Sequence, residues 1–484
     1  MTIAPRLFLR CLGAVYFAAF CSYAWQFPGL NGSMGIAPVS DFLSTVEQSL
    51  GPGRYVALPT LAWINSSDAA IQGLAWAGAL LAVPAVLGFF TPWLFFLLWL
   101  FYLSLDLVGQ DFYSFQWDAL LLEAGFAAIL VASRRFAPSP WAVWVLRVLL
   151  FRLLFCSGAV KLLSGDPTWR TLTALHFHFQ TQPLPNPIAW LVQHSPAWGL
   201  SVFTAAVLGA ELIVPFFIFS TPLLRHVAAF ILAAFQLLIL LTGNYGYFNW
   251  LTLALCLTLV DDRLLRRWLR AWRRSPEIPP APVWKEKTVR AIAVVLLAAG
   301  VLRVAQTLHP SPLPGLLNVP AEALERFYIS NRYGLFAVMT TTRNEIVIEA
   351  SNDGRIWWPY EFPFKPGELR RAPPWIAPFQ PRLDWQMWFA ALSTYQSNSW
   401  IEGFLQRLLN GSPPVSALLE RNPFEGTPPR FIRAVLYEYR FTSREQRSQT
   451  GNWWIRQYRG IYCPPITLRP PGSPTAPVRP FIRL

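Results

Sequence analysis

Apolar runs separated by short basic or aromatic-polar loops fill the chain up to about residue 308, and the pattern then changes to alternation. The runs cover Leu7–Trp25, Ile71–Phe90, Pro92–Val108, Trp117–Ala132, Trp141–Leu163, Trp198–Phe219, Leu223–Thr242, Tyr247–Val260 and Thr288–Leu308. A helix needs about 20 residues to cross the hydrocarbon of a bilayer, so the pattern predicts a multi-pass helical membrane protein. About nine spans are expected, and an odd number. Pro84 and Pro215 fall inside runs, where neighbouring helices must satisfy the freed carbonyls. The shorter runs fit tilted or re-entrant segments.

From His309 the character is different. Pro310, Pro312, Pro314 and Pro320 mark a linker over residues 309–330, because proline lacks the N–H that continues a helix. Glu345–Glu349 alternates and is β-branched, Asn352-Asp353-Gly354 is a turn signal, and Ile356–Phe362 reads as an aromatic return strand. Arg433–Phe441 alternates in the same way, while Trp385–Leu392 and Trp400–Leu409 read as helices. The expected organisation is a transmembrane domain over 1–308, a soluble β-rich domain with some helices over 331–463, and an extended proline-rich tail over 464–484.

Composition agrees with this class. Hydrophobic residues make up 54% of the 484 and charged residues 14%, against roughly 25% charged in soluble domains. The mean hydropathy is +0.35. A net charge of +14 does not point to nucleic acid, because the basic residues sit where topology signals sit. Arg6 and Arg10 flank the first run, Arg134 and Arg135 follow the fourth, and Arg225 lies between the sixth and seventh. Arg263, Arg266, Arg267, Arg270, Arg273 and Arg274 follow the eighth. Strict alternation puts all of them on one side, which the positive-inside rule makes cytoplasmic. The N-terminus is then inside and the β-rich domain outside, with the first run acting as an uncleaved anchor.

The chemistry resides in a few polar groups within apolar surroundings. Lysine is scarce: only Lys161, Lys285, Lys287 and Lys365 occur, and Lys161 lies in an apolar run. A cation there costs about 2.5–3.5 kcal/mol on insertion scales, so it needs a partner or a task. At about 1.5 Å of rise per residue, Arg152 and Glu211 fall at one depth, Lys161 and Asp118 nearer the outer surface, and Glu123 between. We therefore expect an Arg152–Glu211 ion pair, with Lys161 facing Asp118 or Glu123. The following loop offers Asp166, Trp169, His176, His178 and Gln182 as candidate functional residues. His176 and His178 would share a face in an extended segment, with His194 on the same side. No H-E-x-x-H and no carboxylate at ligand spacing accompanies them, so loop hydrogen bonding is favoured and no metal or cofactor is expected. Four of five cysteines lie in apolar runs, Cys463 is alone outside them, and no C-x-x-C occurs, which leaves dithiol exchange unsupported. No nucleophile elbow, P-loop or dinucleotide fingerprint is present.

Three blocks of the membrane half carry a resemblance: Val108–Phe126 (VGQDFYSFQWDALLLEAGF), Ser157–Pro185 (SGAVKLLSGDPTWRTLTALHFHFQTQPLP) and Leu241–Asp262 (LTGNYGYFNWLTLALCLTLVDD). Asn331–Phe362, Pro381–Leu392 (PRLDWQMWFAAL) and Asn422–Phe424 extend it through the β-rich half. With these marks the chain resembles the lipase maturation factor family over nearly its whole length. The resemblance implies a multi-pass endoplasmic-reticulum protein, with lumenal C-terminal region, that assists folding or assembly of secreted lipases by contact. Trp357, Trp358, Trp385 and Trp388 are then candidate client-facing residues. The preference for arginine over lysine fits a GC-rich, bacterial genome, for which the inner or cell membrane replaces the reticulum. More distantly, Gly158 to Leu162 resembles part of the vitamin K-dependent γ-carboxylases. That likeness implies an alternative, a membrane enzyme with Lys161 as general base and Asp118 and Glu123 nearby. A transporter would call for more paired polar groups or inverted repeats.

Overall fold

The computed structural model describes residues 3–113, 115–268, 278–309 and 315–468. Of the positions singled out above, Arg270, Arg273, Arg274, Pro310, Pro312 and Pro314 lie outside these residues, as does the tail from residue 469.

The membrane half is helical: α1 (Ile3–Leu30), α2 (Asp68–Leu87), α3 (Pro92–Val108), α4 (Gln116–Val131), α5 (Pro140–Leu163), α6 (Ala197–Leu212), α7 (Pro222–Thr242), α8 (Phe248–Leu257) and α9 (Val283–Leu308). Local chemistry sets their ends. Ser67, Thr91 and Ser139 accept hydrogen bonds from the first turns of α2, α3 and α5, and Pro92 and Pro140 occupy first positions where no N–H is needed. Pro215 stands just past α6, where the chain tightens into the 3₁₀ turn Val214–Phe219.

The expectation of about nine spans is corrected. Among the described residues, six helices are long and apolar enough to cross a membrane: α1, α2, α5, α6 with its 3₁₀ extension, α7 and α9. α3, α4 and α8 contain 17, 16 and 10 residues, shorter than the about 20 that a span usually takes. The chain nevertheless enters the bundle at one end, where Ile3 meets Asp262, and leaves α9 at the other, where Arg303 meets Ser330.

Charge is segregated along the bundle. At one end the Ile3 amide donates to Asp262, Arg10 to the Leu87 carbonyl, Arg147 to the Thr258 carbonyl, and Arg225 to Leu259 and Asp261. Arg134 stacks there over Phe89. The C-terminal half packs on the other end, touching Ser22 and Gln26 of α1, Asp118 of α4, Ser157 and Lys161 of α5 and Arg303 of α9.

In the C-terminal half, α10 (Gly315–Arg326) contains Pro320, so this part of the expected linker is helical. β1 (Arg343–Ser351), β2 (Trp358–Pro359), β3 (Phe431–Phe441) and β4 (Trp454–Ile466) form an antiparallel sheet in the order β2-β1-β3-β4. The aromatic return strand is only two residues long, and β4 was not foreseen. α11 (Arg382–Ala390) and α12 (Ser399–Leu409) complete the domain. Its core is continuous with that of the membrane bundle: Tyr333, Ile346, Trp385, Phe404 and Ile432 belong to one buried cluster with Phe20, Tyr102 and Leu150.

Candidate functional site: buried charges at the seam between the halves

Five buried charges of the bundle, Asp118, Glu123, Arg152, Lys161 and Glu211, are engaged at the seam. Asp118, in the first turn of α4, is fully buried and forms an ion pair with Arg382 of α11, with Nη1–Oδ2 at 2.6 Å and Nη2–Oδ1 at 2.8 Å. The Tyr102 and Tyr247 hydroxyls donate to the same carboxylate. The guanidinium lies 4.0 Å from the Tyr113 ring centroid and 5.5 Å from that of Phe115. A planar fork matched to a carboxylate and flanked by aromatic faces is a site for arginine and not for lysine. Arg382 carries no sequence expectation above. A charged residue inside the aromatic helix PRLDWQMWFAAL was the available signal.

Glu123, further along α4, pairs with Arg152 of α5 at 2.7 Å. It also accepts from the Asn331 amide, the Asn331 side chain and the Tyr333 hydroxyl, while Arg152 donates to the Asn331 carbonyl. Lys161, at the end of α5, pairs with Glu211 of α6 at 2.7 Å and donates to the carbonyls of Ser157 and Leu335. Its ammonium lies 5.1 Å from the Trp169 ring centroid. Gly158 permits this approach, because a Cβ there would come within 2.9 Å of Glu211 Cβ.

The expected pairings are thus corrected. Arg152 binds Glu123 and not Glu211, and Lys161 binds Glu211 and neither Asp118 nor Glu123. The depth count failed because α6 begins beyond the end of α5. Its first turns lie beside the loop helix Leu175–Thr181, where Thr204 Oγ1 accepts from the Leu175 amide and Ser201 meets His176. Glu211 therefore comes level with Lys161.

The loop after α5 is a packed plug under the sheet. Asp166 accepts from the amides of Thr168 (2.8 Å) and Met339 (2.6 Å), one local and one from the C-terminal half. Trp169 is buried and donates to the Phe336 carbonyl. Gln182 donates to the Thr242 carbonyl and accepts from Tyr245. His176 and His178 sit in a helix, not an extended segment, and separate: His176 meets Ser201, His178 meets Tyr245, and His194 lies against the Trp190 carbonyl. Burial, with the Lys161 cation adding to it, lowers the His178 imidazole to about 4. No group of three metal-ligating side chains occurs among the described residues.

Other seam contacts went unforeseen. Arg343, at the start of β1, is fully buried and donates to the carbonyls of Gln180, Gln182 and Pro183. Glu345 pairs with both Arg343 (2.7 Å) and Lys365 (2.8 Å). Two of the four tryptophan candidates are misplaced as client contacts. Trp385 packs on Trp117 at 4.7 Å between centroids, and Trp388 donates to the Thr181 carbonyl, so both are buried in the seam. Trp357 lies under the Arg433 guanidinium, and Trp358 is 57% exposed.

These contacts define a polytopic helical membrane protein whose C-terminal domain is keyed to one end of its bundle by buried ion pairs. Residues 3–267 match the lipase maturation factor transmembrane domain, and residues 329–464 match the lipase maturation factor C-terminal domain. The chain is 34% identical to lipase maturation factor 2 of Gallus gallus, covering 97% of this chain and 82% of the relative. It is 36% identical to lipase maturation factor 1 of Bos taurus (95% and 88% covered), and 34% identical to lipase maturation factor 2 of Homo sapiens (97% and 83%). The chain belongs to the lipase maturation factor family. No solved structure matches it.

Proposed function

We propose that this protein assists the folding or assembly of secreted proteins, lipases first among them, by contact at the non-cytoplasmic face of the membrane. Family membership over nearly the whole chain carries this reading. In it the N-terminus and the basic ends of the helices are cytoplasmic, and the C-terminal domain faces the endoplasmic-reticulum lumen or, in a bacterium, the cell exterior or periplasm. The segregation of arginines to the end away from that domain supports the orientation.

In the same reading Lys161 is a positioning residue. Its ammonium is shared among Glu211, Ser157 and Leu335, and it holds the 329–339 segment against α5 and α6. The test is secreted lipase activity per unit of lipase protein, in the native host with and without the gene. The reading expects specific activity to fall on deletion and to return with the intact gene. Unchanged specific activity on deletion would overturn it.

A further inference from the structure

β4 ends the sheet: it pairs with β3 on one side and with no strand on the other among the described residues. It is 13 residues long, more than twice the usual strand. Natural proteins shorten, charge, bulge or cover such edges, because a row of free amides and carbonyls recruits another strand. Here Pro464 and Pro465 cannot donate at the far end, while along the rest Arg456, Arg459 and register shifts against β3 protect the edge only in part. Between Ile455 and Arg459 every residue is exposed, so neither face of this stretch is covered by the domain. Tyr458 is 57% exposed and Ile461 47%.

The side chains flanking this edge define what it would take. Tyr437 and Tyr458 meet at 5.9 Å between centroids, and the Arg456 guanidinium lies 4.6 Å from the Tyr437 centroid. On the other face Arg440 and Arg459 share the single carboxylate of Glu438. Two guanidinium groups thus share one acid on that face, and Arg456 adds a third positive charge on the other. Apolar surface alternating with net positive charge along an open backbone ladder suits an extended, partly apolar segment with acidic residues.

We propose that the edge of β4 from Ile455 to Cys463 binds an extended, acidic segment of a secreted client, which adds to the sheet as a fifth strand. This rests on the reading given under Proposed function and supplies its contact surface. Backbone hydrogen bonding gives such a site tolerance of sequence, with the flanking side chains setting preference. An unfolded client offers such a segment, and a folded client, its strands already paired, does not.

The test uses the full chain in detergent micelles and a labelled peptide of alternating valine and threonine carrying two glutamates. Saturable binding is expected, weakened at least about tenfold when alternate peptide amides are N-methylated, because the ladder then loses its donors. Ile455→Lys combined with Tyr458→Lys should weaken binding similarly, and Ile356→Lys, at the β1–β2 turn, should not. The N-methylated peptide keeps the test valid if the double variant fails to fold. Absence of saturable binding would overturn the proposal, as would equal affinity for the N-methylated peptide. So would binding seen only after residues 469–484 are deleted, or a dimer that Ile455→Lys dissociates, since the chain's own tail or a second copy would then hold the edge. Loss of lipase specific activity on gene deletion without peptide binding would sink this edge and leave the maturation reading standing.

Discussion

Arg382 and Asp118 form a two-pronged ion pair across 264 positions of sequence, with the aspartate fully buried and the arginine 1% exposed. One lies in the bundle and the other on the C-terminal domain. Neither charge could remain in its place alone, so bundle and domain are expected to be stable together and not apart. Breaking such a pair from one side costs about 3–5 kcal/mol. Asp118→Asn and Arg382→Lys should each lower the melting temperature in detergent and expose the C-terminal domain to protease. The lysine change is included because a point charge cannot replace the fork. Wild-type protease resistance in both variants would refute the docking role.

A double-mutant cycle distinguishes the partners of Arg152. Coupling is expected between Arg152 and Glu123, which touch at 2.7 Å, and not between Arg152 and Glu211. Variants Arg152→Met, Glu123→Gln and Glu211→Gln, single and paired, should show coupling of about 0.5–3 kcal/mol for the first pair. Denaturant unfolding of each variant measures it.

Two groups near the seam titrate in opposite senses. His178 is lowered to about 4 by burial and the Lys161 cation, against about 6.5 unfolded. The unfolded chain therefore takes up a proton first as pH falls, and stability is lost between pH 6.5 and 4. Burial raises Asp384 to about 6, although the Lys365 and Phe364 amides oppose the rise. Its contribution is present below about pH 3.9 and is lost as pH rises through 6. His178→Gln should flatten the acid side of a melting-temperature profile. Asp384→Asn should raise the melting temperature at pH 7–8 and leave it nearly unchanged at pH 4. A profile unmoved by either change would contradict these assignments.

The tryptophans separate by burial. Trp385→Ala should cost about 3–5 kcal/mol, since its ring fills the seam beside Trp117. Trp358→Ala should stay within about 0.5 kcal/mol of wild type. Unfolding midpoints of the two variants provide the comparison.

Much of the fold was legible because burial leaves a periodic mark. β1 and β3 carry β-branched and aromatic runs bounded by turn signals, and the long apolar helices follow from uncharged runs. β4 was illegible because its middle is exposed on both faces, arginines interrupt it, and Gly460, at φ +147°, breaks its register. The buried charges were found in the sequence, but their partners were not. Counting depth from Trp198 assumed that α6 starts level with the end of α5, and nothing local in the chain records that offset. Arg382 and Arg343 were missed for a similar reason: each lies in a segment that reads as soluble, yet is buried against the membrane bundle.

Under the proposed function Lys161 acts as a positioning residue that anchors the C-terminal domain through Glu211 and the Leu335 carbonyl. Replacing a buried ion pair by apolar residues of similar volume is often neutral, whereas removing one partner is not. Lys161→Met together with Glu211→Leu tests this directly, through secreted lipase activity per unit of lipase protein in a deletion host. The account predicts that the double variant restores most of the wild-type specific activity, while Lys161→Met alone does not. A double variant that folds with wild-type protease resistance yet restores none would contradict it, and would assign Lys161 a chemical task.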